Sequence, residues 1–411
     1  MNKGFFGIGA APARPWSARA APLALLVLSA GLAVGATELG LRLADYPRTV
    51  RSGWRSQFRP GEMNELGFRG QPFAYTDDDV VVVVLSDSQG EAQALPFESM
   101  PERLLEAHLQ RLRPQKRFRV FTLGAGGYGQ DQQLLVLREY FRRYRADLVL
   151  LWQTPTNDVV NNMFPTHWPW NTTAKPTFWL DRGELKGPSE ELGQRLERFR
   201  IGALVAQAFP VDRDADWERR HLPEPYHALA SYAGPVDTQW EQMRAQGVTL
   251  VSDERVQSEK TNFVLSLTPR SPRTQYGLDL THALLTEIAD ECARQGSRFM
   301  LVHHGLSPER GPVSPYIVNM TQDEVVRVLD GRYYRISNTQ FWANLRYMDR
   351  GLPYTYVRVT TPNWRVSPTD GHLNAVAMDQ VTSDLAQQLL HLAQPATPPA
   401  GVVIAQGPAV R

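Results

Sequence analysis

Five consecutive valines, Val80 to Val84, followed by Leu85, constrain this chain more than any other stretch. β-Branched side chains are stiff about χ1 and favour extended backbone, and an unbroken apolar run offers no polar face to water. It is therefore expected to form a strand buried on both faces, the pattern of a parallel sheet covered by helices. The run delivers the chain into Ser86-Asp87-Ser88-Gln89-Gly90. Open α/β sheets gather their ligands at the carboxyl ends of strands, which makes Ser88 the candidate nucleophile.

An alternation of helices and strands follows. Ser99-Met100-Pro101-Glu102 reads as a capping box opening a helix with Leu104, Leu105, His108, Leu109 and Leu112 on one face. His108, set on that apolar stripe, is expected to be structural. Phe118 to Leu123 reads as the second strand, Asp131 to Arg143 as a helix and Asp147 to Gln153 as the third strand. Leu278 to Gln295, stopped by Gly296, is a long amphipathic helix; strands are expected at Arg298 to His303 and Tyr354 to Val359, and a last helix at Asn374 to Ala393. Strands spaced by helices predict an α/β fold with one parallel sheet between two helical layers. Residues 159 to 276 are too long and irregular for a plain connection and are expected to form an inserted cap. The Pro- and Ala-rich tail, 394 to 411, is expected to be disordered, and residues 44 to 79 to form a stalk and entry loop.

The N-terminus is of a different kind. Ala20 to Thr37 carries no charge and follows Lys3, Arg14 and Arg19. As a helix it would rise about 27 Å, close to a hydrocarbon core of ~30 Å. The basic residues assign 1 to 19 to the cytoplasmic side and 20 to 43 to a signal-anchor helix in the inner membrane, with the rest outside the cytoplasm. The alternative is secretion after cleavage near Ala36. Elsewhere the 44 Lys and Arg balance 43 Asp and Glu, a net charge of +1, so no global field favours nucleic acid as a partner. Cys292 is the single cysteine, which excludes an intrachain disulfide; on a predicted helix it reads as a small buried hydrophobe.

Acyl transfer through serine needs a nucleophile, a base, an orienting acid and donors aimed at the developing oxyanion. Ser88 follows strand one, Gly127 strand two and Asn157 strand three, while Asp370 and His372 precede the last helix. Four blocks in that order, Ser86-Asp87-Ser88, Leu123 to Gly129, Thr156-Asn157-Asp158 and Asp370 to Asn374, resemble those of the SGNH (GDSL-type) hydrolases. Asn64 to Arg69 also looks like a segment of their membrane-anchored bacterial members. The resemblance covers roughly 64 to 160 and 278 to 393 and implies a flavodoxin-like three-layer domain over 80 to 393. It implies Ser88 as nucleophile, His372 as base held by Asp370, and the Ser88 amide, the Gly127 amide and the Asn157 side chain as oxyanion donors. No cofactor or metal is implied. The activity would be hydrolysis of an ester on a small molecule, a lipid or an O-acylated glycan. The alternatives are transfer of the acyl group to an exopolysaccharide, or a catalytically weak envelope binding or assembly module.

The match has departures. Ser86 and Thr156 stand where the family has glycine, and the acid and base are Asp-x-His rather than the commoner Asp-x-x-His. Ser86 is thereby an alternative nucleophile, and Asp87 is expected to brace the loop. Two other motifs compete. Gly124 to Gly129 fits G-x-G-x-x-G, but the next strand ends in Gln153 and Asn157 rather than the acid a dinucleotide needs. Ser86 to Gly90 lacks only the first glycine of a G-x-S-x-G elbow, yet that elbow enters a helix directly, whereas Pro96 and the capping box here delay one. His303 and His304, adjacent on a strand, point to opposite faces and are expected in polar packing. Phe164, Trp168, Trp170, Phe178 and Trp179 are expected to form a small core of the insertion.

Overall fold

The computed structural model describes residues 16–44, 46, 61–168, 175–189, 199–208, 214–245, 251–307, 311–312, 324–367 and 370–392. The n-region to residue 15, residues 45 and 47–60 of the stalk, Trp170 and the tail from 394 lie outside them. The chain divides into two compact units, one of residues 1–49 with 195–209 and one of the remainder.

In the smaller unit, α1 (Trp16–Leu43) contains one stretch, Pro22–Leu43, long and apolar enough to cross a membrane, with a mean hydropathy of 1.8 and none of it buried. A short helix, α6 (Arg200–Ala208), begins beside it, where the Glu38 carboxylate accepts the backbone N–H groups of Arg200 and Ile201, both at 3.1 Å. A carboxylate at a helix N-terminus satisfies donors that the helix itself cannot pair.

In the larger unit five parallel strands form one sheet. They are β1 (Val80–Ser86), β2 (Phe118–Gly124), β3 (Leu148–Trp152), β4 (Arg298–Ser307) and β5 (Tyr354–Arg358). Their order is β2-β1-β3-β4-β5, the flavodoxin-like arrangement. The valine run behaves as its composition demands. Val81, Val83 and Leu85 enter one apolar cluster, and Val82 and Val84 the cluster on the opposite face. The first face is covered by α4 (Gln130–Phe141) and α7 (Pro272–Arg294), through Leu134, Leu137, Leu284 and Ile288 among others. The second is covered by α3 (Pro101–Leu112) and α9 (Ala375–Leu392), through Leu105, Leu109, Val381 and Leu385. The expected three-layer α/β architecture is thus present. His108, buried on α3, bonds Asp379 of α9 at 2.9 Å, and Cys292 lies buried on α7.

Two local expectations are overturned. Ser99 does not cap α3: it ends a short 3-10 turn, Phe97–Ser99, and the N-cap is Met100, with no side-chain bond. Pro101 fits the first helical turn and holds the residue before it extended, so the capping box has no place to close. Glu102 turns inward instead and accepts the amides of Gln71 at 2.6 Å and Thr122 at 2.7 Å. Nor is a helix absent after the serine, because α2 (Ser88–Glu91) makes one turn at once.

β2 is an edge strand, and side chains occupy its outward groups. Along α3, Glu102, Glu106 and Gln110 accept the N–H groups of Thr122, Val120 and Phe118. Gln71 and Asn64 donate to the carbonyls of Val120 and Thr122. Residues four apart share a helix face and alternate residues share a strand edge, so the two periods meet in register. Between α5 (Pro155–Met163) and α7 lie short helices and a hairpin, Thr177–Asp181 with Glu184–Ser189. Phe164 and Phe178 do not form a core of the insertion, as expected, but join the apolar cluster on the first face of the sheet; the separate cluster in this stretch is built on Tyr226, Trp240 and Phe263. A second hairpin, Glu324–Leu329 with Arg332–Ser337, leads into α8 (Asn338–Met348).

Candidate active site

The carboxyl edge of the sheet brings Ser88, His372 and Asp370 together. The Ser88 Oγ lies 2.8 Å from His372 Nε2, across 284 residues of chain. On the other side of the ring, His372 Nδ1 is 2.5 Å from Asp370 Oδ1. The Asp-x-His spacing works because both residues sit on a short strand, Asp370–Leu373, where alternate side chains share a face. One carboxylate oxygen takes both donors of the residue two along, the ring Nδ1 and the His372 amide at 3.0 Å. Asp370 is held below the ordinary carboxylate range, first by its bond to His372. Burial alone would lower the His372 pKa. The bond and charge of Asp370, with Asp87 and Glu91 beyond, outweigh it and hold the imidazole above its ordinary value of 6.5. The ring therefore keeps a proton more readily than free histidine, and only its neutral form can take one from a hydroxyl.

The serine is presented by a tightly bonded turn. Asp87 caps α2 by accepting the Gln89 amide at 2.9 Å, and Ala92 ends the turn in the left-handed region at φ 45°. Ser86, wholly buried, spends its Oγ accepting the Gly90 N–H at 2.9 Å, which commits that hydroxyl to the turn. A Cβ on Gly90 would stand 2.4 Å from the Ser86 Cβ, so the serine at 86 demands a glycine at 90. Arg69 lies beneath. Its buried guanidinium donates to the carbonyls of Glu91 (3.2 Å), Ala92 (2.5 Å) and Leu95 (2.8 Å), at and just beyond the end of the one-turn helix. Asn64 accepts the amides of Leu66 and Phe68 and donates to Thr122 O. The segment Asn64 to Arg69 is thus the underside of the serine turn.

The remaining expected residues join through intermediates. Asn157, on α5, donates to Asp87 Oδ2 at 3.5 Å, and Thr154 donates to Asp87 Oδ1 at 3.1 Å. Asp87 therefore ties the third-strand loop to the serine turn. Gly127 adopts φ 75°, a backbone region that favours glycine, and its carbonyl is 3.0 Å from His167 Nδ1. The Gly126 amide donates to Glu91 Oε2 at 2.8 Å. Leu373 N reaches Gln89 Oε1 at 3.4 Å, linking the histidine strand to the serine turn. Arg69, Glu91 and His167 were not read as site residues; Asn64 to Arg69 was the available signal for the first, and neighbourhood to Ser88 for the second.

Other candidates stand apart from this chain of bonds. His303 pairs with Asp349 at 2.8 Å on one face, while on the other His304 accepts from the Trp152 indole at 2.8 Å. Burial, with His303 and His372 nearby, pushes the His304 pKa down to about 3, so it stays neutral. Burial pushes the Cys292 thiol up to about 12, far from a reactive thiolate. Trp168 packs against the first apolar cluster, and Trp179 against Trp217 and His221.

No protein-family model matches the chain, and no curated protein matches it. Solved structures do. The chain is similar to TesA, at 12% identity over 76% of this chain and 99% of that one, with a TM-score of 0.34. It is similar to an alpha/beta hydrolase enzyme from the metagenome of Lake Arreo, at 11% identity over 77% and 98%, with a TM-score of 0.35. A carbohydrate acetylesterase from Sinorhizobium meliloti aligns at 9% identity over 76% and 100%, with a TM-score of 0.31. The resemblance to the SGNH hydrolases rests on the motifs, the sheet order and the strand-end geometry of this chain rather than on scores of that size.

Proposed function

We propose that this protein is a membrane-anchored serine ester hydrolase of SGNH type acting outside the cytoplasm. The observation that carries the reading is the continuous Ser88–His372–Asp370 hydrogen-bond chain at the sheet edge. In this reading His372 takes the Ser88 proton as Oγ attacks the ester carbonyl, then hands it to the departing alkoxide, leaving an acyl group on Ser88. Water, deprotonated by the same imidazole, attacks the acyl carbonyl and restores the serine. The Ser88 and Gly127 amides and the Asn157 amide group stabilise the two oxyanions; losing one such donor costs on the order of 3 kcal/mol. Asp370 keeps the ring in the tautomer that leaves Nε2 free and stabilises its cation.

The catalytic domain is assigned to 80–393, with 159–276 as its insertion. A signal-anchor at 20–43 belongs to the same reading, and an O-acylated glycan or a lipid ester is the assigned substrate class. The test is labelling with a fluorophosphonate and hydrolysis of p-nitrophenyl acetate by the full chain in detergent. Both are expected in the wild type and lost in Ser88→Ala. Labelling that survives the substitution would overturn the assignment of the nucleophile, and acetyl transfer to a glycan outpacing hydrolysis would overturn the assignment of water as acceptor.

A further inference from the structure

The loop that carries Gly127 is gripped from two sides by buried side chains that the triad does not include. Glu91, three residues after Ser88 and 4% exposed, accepts the Gly126 N–H at 2.8 Å. His167, also 4% exposed, lies beyond α5, with its Nδ1 at 3.0 Å from the Gly127 carbonyl. A carbonyl only accepts, so Nδ1 carries the hydrogen and donates it. These two bonds hold the peptide planes on either side of the one that contains the Gly127 N–H. The grip is close, because a Cβ on Gly127 would lie 3.1 Å from the His167 Nδ1. The Tyr128 ring stacks on the imidazole, with centroids 6.3 Å apart and planes 21° apart.

The electrical surroundings keep the donor constant. Burial, with the cations of Lys175 and Lys260 behind it, pushes the His167 pKa down to about 4, so the ring is neutral at ordinary pH. Lys175 pairs with Asp131, and Lys260 with Asp214 and Thr166. A ring that does not titrate near neutrality and bonds the Gly127 carbonyl rather than the Ser88 hydroxyl is suited to holding backbone rather than moving protons.

We propose that His167 and Glu91 are positioning residues for the oxyanion hole, fixing the Gly127 amide where negative charge develops. This rests on the serine hydrolase reading above. Its consequence is that His167, within the stretch read from sequence as an insertion, takes part in the reaction through the loop it holds.

Geometry separates this role from mere packing. Asn at 167 places its Nδ2 near the position of the imidazole Nδ1, whereas Gln reaches toward Nε2. In the full chain, His167→Ala is expected to lower kcat for p-nitrophenyl acetate about 10- to 100-fold with KM within about twofold, because an oxyanion donor acts mainly in the transition state. His167→Asn should recover most of that loss and His167→Gln should not. A packing role would reverse the order, since Gln fills more of the ring's volume. Glu91→Gln keeps a carbonyl acceptor for Gly126 and is expected to stay within about threefold of wild type, while Glu91→Leu should fall as His167→Ala does. Hydrogen exchange over residues 124–129 should speed in His167→Ala independently of turnover. Unchanged kcat in His167→Ala, equal rescue by Asn and Gln, or unchanged exchange would each overturn the clamp while leaving Ser88-dependent hydrolysis standing. A wild type without Ser88-dependent labelling or hydrolysis would overturn the catalytic reading, and the oxyanion role of the clamp with it.

Discussion

The two sides of the candidate site are built differently. On the serine side, Ser86, Asp87, Gln89 and Glu91 are buried, and Arg69, Thr154 and Gly90 bind the turn through side chain and backbone alike. On the histidine side, the His372 and Asp370 side chains are 39% and 35% exposed. Among the described residues their strand pairs only with the short strand Arg365–Ser367, and the Leu373 amide holds it to the serine turn. In the proposed reading the nucleophile, itself half-buried, rides on a turn anchored in the core, whereas the base is carried on a surface hairpin. Stability and activity should therefore separate between the sides.

The largest expected effect is on the exposed side. His372→Ala should reduce kcat on the order of 10⁴- to 10⁶-fold, as removing the base of a serine triad does. Its thermal midpoint should barely move, since a half-exposed side chain away from core packing changes stability by roughly 0.5 kcal/mol or less. A large loss of stability in that variant would break the comparison. Next comes Arg69→Met, where leaving three carbonyls without their buried donor should destabilise the fold by about 3 kcal/mol. Chemical denaturation measures it, and a change under about 1 kcal/mol would show that the serine turn stands without its support.

The smallest effect is the most discriminating, because the raised His372 pKa acts in opposite directions on activity and stability. As the base, the ring must be neutral, so kcat/KM should rise with pH around a midpoint above 6.5. As a cation it is favoured by the fold, so its stabilising contribution is fully present below 6.5 and is lost as pH rises through the raised value. The difference in melting temperature between wild type and His372→Gln should accordingly be largest in acid and shrink over the range in which activity appears. A midpoint below 6.5 would mean that burial, not Asp370, governs the ring.

The same contrast explains what was legible from residues alone. The valine run declares β1 because composition and burial coincide within a single strand. The order of Ser88, Gly127, Asn157, Asp370 and His372 was readable because each block follows a recognisable strand or precedes a recognisable helix. The contacts of their supports were not, although Asn64 to Arg69 stands out as a block. Arg69 acts on carbonyls 22 to 26 positions ahead, and His167 meets Gly127 from 40 positions away. Such contacts leave no period or spacing in the sequence. The capping box failed for a related reason, since Ser99 and Glu102 have the right spacing while the edge strand claims the glutamate. The hairpin Glu324 to Ser337 escaped because its alternation is weak, with Arg327 buried among the apolar residues through Asp237 and Gln239.

The 284 positions between Ser88 and His372 have a meaning in time as well as in space. A chain made from its N-terminus completes β1 and its serine early, yet closing a contact of that span must wait until the last helix can dock. Under the proposed reading Ser88 waits for His372 until the strand and helix that follow it have been made, and hydrolysis, when it begins, reports that they have docked.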